Sequence, residues 1–130
     1  MTRCIPILLA LAPACYAPLH EGTPDPPQPS IRMLIAAAET RHRLPDGLLK
    51  GVAWSESRMR PDVFHVETNG TTSTGVFGLN SFSFPGSESW SVEQQADAAG
   101  EYLSRLLEQC QQNQRCAQQA YRTGRIRRQP

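Results

Sequence analysis

The stretch "SVEQQADAAGEYLSRLLEQC", residues 91–110, constrains the fold more than any other part of the chain. Ser91 and Gln94 form the S-x-x-Q pattern of a capping box, in which two backbone donors at a helix start are satisfied reciprocally. Val92, Ala96, Ala99, Leu103, Leu106 and Cys110 then recur every three or four residues, which places them on one face of an α-helix. An amphipathic helix of this kind has to bury its apolar face against other elements.

Three shorter segments supply partners. "SIRMLIAAAETRHRL" has Ser30 as N-cap and a stripe of Ile31, Leu34, Ile35 and Ala38, with His42 at its far end in a structural place. A second helix is expected from "LPDG", with Pro45 and Asp46 in the first turn and Leu48, Leu49, Val52 and Ala53 buried. Met59 extends that stripe, and Arg60-Pro61 ends the helix, because a residue before proline is pushed out of the helical region. "RCAQQAYR" carries Cys116, Ala117, Ala120 and Tyr121 on one side, with Gly124 as its stop. Residues 62–90 lack a helical pattern until late and are rich in Gly, Ser and Thr. Asn69-Gly70 is a turn signal, and a short hairpin is expected there. A connection this long in a compact domain is commonly functional. The fold class is mainly α, a small helical domain with a short loop or β-hairpin region.

A chain of 130 residues makes one domain rather than two, and its formal net charge of +1 gives no reason to expect a nucleic-acid or acidic partner. Twelve of the 13 basic residues are arginine, and the tail at 125–130 continues the basic run "RTGRIRRQP" as a solvated terminus. At the other end, Arg3 precedes the apolar run Ile5 to Leu11 and then small residues. Residues 1–17 therefore read as a secretory signal peptide, too short in its apolar run to span a bilayer. Cleavage could follow Ala14 or Ala17; the first would leave Cys15 at the new N-terminus, and "LAPAC" loosely resembles a bacterial lipobox, so Cys15 is a candidate for lipidation. Residues 18–30, with five prolines, read as an extended tether, and 31–124 as the folded domain. Export to an oxidising compartment makes a Cys110–Cys116 disulfide plausible, contributing about 2 kcal/mol. Two cysteines without companion histidines are a weak metal site.

In "VAWSESRMRP" one residue stands out. Glu56 follows Val52 by four positions, Leu49 by seven and Leu48 by eight, so it shares the face of the apolar stripe. Burying an ionised carboxylate without a partner is expensive, and its pKa rises instead. A carboxyl kept protonated near neutral pH can act as a general acid, which glycosidic cleavage requires. Neutralisation by Arg58, Arg60 or an arginine elsewhere in the chain is the structural alternative. Asp62, Glu67 and Glu88 are candidate second carboxylates, none singled out by position. Gly75 and Gly78 allow close backbone approach to a ligand. Phe77, Phe82, Phe84 and Trp90 lie nearby, suited either to sugar faces or to covering the second helix.

Together, "LLKGVAWSESRMRPD", "STGVFGLNSF" and "AYRTG" resemble the lytic transglycosylase domain of the lysozyme-like superfamily, over about residues 31–124. The likeness is greatest to the small specialised enzymes of bacterial secretion, conjugation and pilus systems. "ES" at Glu56-Ser57 matches the family's catalytic glutamate and the serine after it. "GVFGLNS" resembles "GLMQINS" and brings Gly75, Asn80 and Ser81 onto matching positions. "AYRTG" resembles "AYNAG" through Ala120, Tyr121 and Gly124. Two positions depart: Gly78 stands where the family usually has Gln, and Arg122 where it usually has Asn. The first removes two donors and an acceptor from the groove.

The resemblance implies cleavage of the bond from N-acetylmuramic acid to N-acetylglucosamine in peptidoglycan, without metal or other cofactor. It implies Glu56 as the single catalytic acid/base. Substrate contacts fall on Ser57, Gly75, Phe77, Gly78, Asn80, Ser81 and Tyr121. Expected partners are glycan strands and components of an envelope-spanning secretion, conjugation or pilus machine, with no nucleic acid and with membrane contact only through a lipid anchor. The expected location is the periplasm or cell envelope. A hydrolytic muramidase and a non-catalytic wall-binding or assembly module on the same fold are the alternatives.

Overall fold

The computed structural model describes residues 27–126. The expected signal peptide, Cys15, most of the tether and the last four residues of the basic tail lie outside the described residues. Four helices and a small sheet follow in order: α1 (Ile31–Arg41), α2 (Leu48–Ser57), β1 (Phe64–Val66), β2 (Thr72–Thr74), β3 (Leu79–Asn80), α3 (Val92–Gln109) and α4 (Gln114–Thr123). A single 3-10 turn, Ser87–Ser89, leads into α3. The domain is mainly helical, as the periodicity predicts.

The local signals explain most of the boundaries. The Ser30 hydroxyl accepts from the Met33 amide and starts α1. The Ser91–Gln94 capping box is formed in both directions at the start of α3. The Asn113 side chain accepts from the Cys116 amide to begin α4, and Gly124, in the left-handed region, ends it.

The start of α2 corrects the sequence expectation. Pro45 and Asp46 precede the helix rather than forming its first turn. Gly47, with φ 82°, is the N-cap and offers no side chain. The missing cap comes from α1: Glu39 is 6% exposed, and its two oxygens accept from the amides of Gly47 and Lys50, both at 3.0 Å. Negative charge at a helix N-terminus is favoured by the helix dipole. The other end of α2 also falls earlier than the proline suggests. The helix stops at Ser57, and Arg58 and Met59 both take left-handed conformations.

The expected hairpin is a three-stranded antiparallel sheet in the order β1-β2-β3, with Phe64 opposite Thr74, Val66 opposite Thr72, and Thr74 opposite Leu79. Asn69 and Gly70 make the first turn, where the Asn69 side chain accepts from the Thr71 amide and hydroxyl.

The central helix is α3, which packs against α1, α2 and α4. Ala96, Ala99, Leu103, Leu106 and Cys110 are buried along it as expected, and Leu107 joins them. Ile35, Leu49 and Val52 cover it from α1 and α2, Ala117 and Ala120 from α4, and Val76, Phe77 and Leu79 plug the core from the loop side. Cys110 and Cys116 form a disulfide across the α3–α4 turn, with a Cα–Cα distance of 5.8 Å. His42 packs in the notch left by Gly100, where a Cβ would come within 2.7 Å of its ring, and hydrogen-bonds through Nε2 to Asp97, which also pairs with Arg41. Its place is structural.

Candidate active site

Glu56 is in the last turn of α2, and the stripe arithmetic holds. Its neighbours one and two turns back, Val52, Leu49 and Leu48, are buried, and Glu56 is half-buried at the edge of their face. It opens onto a groove of about 510 Å³ that also contains Gly78 and Asn80 from the loop, Tyr102 and Arg105 from α3, and Tyr121 from the end of α4. Among the described residues the salt-bridge contacts are those of Arg41 and His42 to Asp97, so none reaches Glu56. Arg58, a candidate neutraliser, instead lies over the Trp54 ring at 5.0 Å on the solvent side of α2.

Burial pushes the Glu56 carboxyl above the ordinary glutamate value, and the Arg122 guanidinium pulls it part of the way back. The dominant effect is desolvation, which shifts the balance toward the protonated acid. Gly78 provides the room. It has φ 57°, and a Cβ there would lie 2.9 Å from Glu56 Oε2. The departure from the family's usual Gln therefore has a local reason in this chain: the carboxyl occupies the space that a side chain would need.

Tyr121 closes the floor. Its hydroxyl donates to the Phe77 carbonyl at 3.0 Å, which ties α4 to the loop directly before Gly78. Burial, then the Glu56 charge and then Tyr102 push its pKa far upward, so the phenol stays neutral and serves as a donor. An aromatic wall continues from it. The Tyr121 and Tyr102 ring centroids are 5.4 Å apart, and Tyr102 meets Phe84 edge-on at 5.9 Å.

Of the residues predicted to contact substrate, the structure brings Gly78, Asn80 and Tyr121 together with Glu56 in this groove. Four others do structural work. Ser57 is buried, and its hydroxyl donates to the Val76 carbonyl at 2.7 Å and accepts from the Arg60 amide. Gly75 is buried and donates its amide to the Val63 carbonyl. The Phe77 ring is fully buried in the core. The Ser81 hydroxyl accepts from the Thr72 amide and holds the sheet together. Among the candidate second carboxylates, Glu67 reaches the groove, where it accepts from the Ser73 hydroxyl at 2.7 Å.

Several groove residues escaped the sequence reading. Tyr102 and Arg105 flank the buried stripe of α3, three residues apart, and that offset was their only signal. Gln95 is buried behind the site. It accepts from the Val76 amide and donates to the Trp90 carbonyl, which clamps both ends of the loop to α3. Nothing in its polarity foretold that.

The arrangement is a cleft with one desolvated carboxyl, an aromatic wall and loop backbone, suited to acid/base chemistry on a saccharide. No curated protein matches the chain, and no solved structure does. The family model described as "Transglycosylase SLT domain" matches residues 33–129, which takes in all but the first two residues of α1, the other three helices, the sheet and the groove. The chain belongs to the transglycosylase SLT domain family, whose members are lytic transglycosylases of lysozyme-like fold acting on peptidoglycan.

Proposed function

We propose that this protein is a peptidoglycan lytic transglycosylase that cleaves the N-acetylmuramic acid–β-1,4–N-acetylglucosamine bond with Glu56 as its single acid/base. One observation carries the reading: the Glu56 carboxyl is half-buried, its pKa is raised by desolvation, and it faces a groove large enough for sugar rings. The protonated acid gives its proton to the glycosidic oxygen as the bond to C1 breaks. The resulting carboxylate then takes the proton of the muramoyl C6 hydroxyl, whose oxygen closes on C1 as a 1,6-anhydro ring. Glu56 ends protonated again, and no water is consumed. The substrate's own acetamido group stabilises the charge developing at C1, so no second carboxylate is needed. Tyr121 acts through position, holding the loop backbone and Gly78 against the acid.

Glu67 in the same groove favours a second reading, hydrolysis with two carboxylates. Digestion of purified peptidoglycan separates the two, because transglycosylation leaves anhydro-muramoyl ends and hydrolysis leaves reducing ends. Equal solubilisation by the parent protein and Glu56→Gln would remove Glu56 as the acid, and binding of peptidoglycan with no solubilisation by either would leave a non-catalytic wall-binding module. Export to the periplasm, supported by the leader-like residues 1–17, would bring the protein to its substrate. Local opening of the wall for a secretion, conjugation or pilus machine suits an enzyme of this small size.

A further inference from the structure

Arg122 lines two cavities. One is the groove beside Glu56. The other, of about 290 Å³, lies in the seam between α2 and α4, walled by Gly51 and Ser55 from α2 and by Arg115, Gln118, Gln119 and Arg122 from α4. The four α4 residues lie at i, i+3, i+4 and i+7, a single polar stripe along the helix. No carboxylate lines this seam, and neither arginine takes part in the ion pairs formed among the described residues. Gly51 keeps the seam open. In a helix interior it is about 1 kcal/mol less favourable than alanine, yet a Cβ there would come within 2.9 Å of Gln118 Nε2. The missing side chain lets the Gln118 amide lie across α2.

Two guanidinium groups and two side-chain amides, with no acid among them, suit a carboxylate. Distance narrows the source. An α-helix rises 1.5 Å per residue, so Arg115 lies about 10 Å along α4 from Arg122. Arg122 is the one seam residue that also lines the groove, so a substituent running from a sugar held there would pass Arg122 first. Arg115 would be reached only by a chain extending further, at about 3.3–3.6 Å per residue. We infer that the α2–α4 seam binds carboxylates of the peptide stem carried on the muramoyl lactyl group, with Arg122 shared between groove and seam and Arg115 as the far anchor. The inference rests on the groove being a glycan site.

Titration calorimetry on the full chain tests it with three probes: N-acetylmuramic acid, N-acetylmuramoyl-L-alanyl-D-glutamate, and the diamide of the latter. The dipeptide acid is expected to bind about 3- to 10-fold more tightly than either control, the range for one or two partly exposed charge pairs. Arg115→Ala should remove that preference, and so should Gln118→Glu, which places a repelling charge in the same seam. Glu56→Gln should keep it. Equal or undetectable binding of the three probes would overturn the inference. So would a preference intact in both seam variants, which would place the glutamate carboxylates outside the α2–α4 seam. Failure of the glycan reading shows itself separately, as peptidoglycan neither bound nor lysed by the parent protein.

Discussion

Glu39 and Glu56 are both acids on the inward side of a short helix, and they are opposites in every other respect. Glu39 is buried with both oxygens engaged by backbone amides, so its charge is part of the fold. Glu56 is only half-buried, has no ion-pair partner among the described residues, and faces open volume. Burial alone therefore does not mark a reactive carboxyl. What marks Glu56 is partial burial without satisfaction next to space for a substrate.

Removing the Glu56 carboxyl should have the largest effect on activity and little on folding. General acid–base groups contribute about 10²- to 10⁴-fold, so Glu56→Gln should lower the rate of anhydro-muramoyl end formation by that order, read by mass spectrometry of digests. The thermal unfolding midpoint should not fall, because the amide removes a poorly solvated charge. A variant that unfolds instead would make Glu56 another Glu39.

Glu39→Ala reverses the pattern. It leaves the Gly47 and Lys50 amides without their protein acceptor at a part-buried helix start, and losing that cap should cost about 2 kcal/mol in chemical denaturation. Glu39→Gln should cost less, since its single amide oxygen can still accept from one of the two amides. A loss under about 1 kcal/mol for the alanine variant would erase the contrast.

These two residues also show what was legible in the chain. Glu56 could be found by counting back to Leu48, because both lie on one helix and helical geometry is local. The same count, four residues from Ala53, puts Ser57 on a buried face as well. The partner of Glu39 is a different helix, so no local pattern gave the true start of α2, and Pro45 and Asp46 were the plausible but wrong choice. The capping box of α3 and the Asn69-Gly70 turn came through because their hydrogen bonds close within a few residues. Gln95 and the Tyr102–Phe84 wall did not, since they become neighbours of the loop only after α3 has packed.

Gly78→Ala sharpens the comparison by crowding one carboxyl and not the other. A left-handed conformation costs a non-glycine residue about 1–2 kcal/mol, and the new Cβ would press on Glu56 Oε2. Stability should fall by that amount, and activity by about tenfold or more as the acid is displaced. Glu39 is untouched, so the cap of α2 survives. Full activity in Gly78→Ala would show that the carboxyl has a second productive position.

The smallest effect concerns pH, where Glu56 and Asp97 should pull in opposite directions. The Glu56 pKa is raised above 4.5, so the folded protein holds that proton more tightly than the unfolded chain does. Its contribution favours folding at low pH and declines as pH rises from 4.5 through the raised folded value. Hydrogen bonds from Arg41, then His42, hold Asp97 below 3.8. Its contribution is present above 3.8 and fades as pH falls through the lower folded value. Asp97 is largely solvated, so salt should shrink its share, while the half-buried Glu56 responds less. Stability measured against pH for Glu56→Gln should lose the decline on the neutral side, and Asp97→Asn should soften the acid side. Were Glu56→Gln to leave the profile unchanged, the carboxyl would be as well solvated as an ordinary surface glutamate, and its claim to act as the acid would go with it.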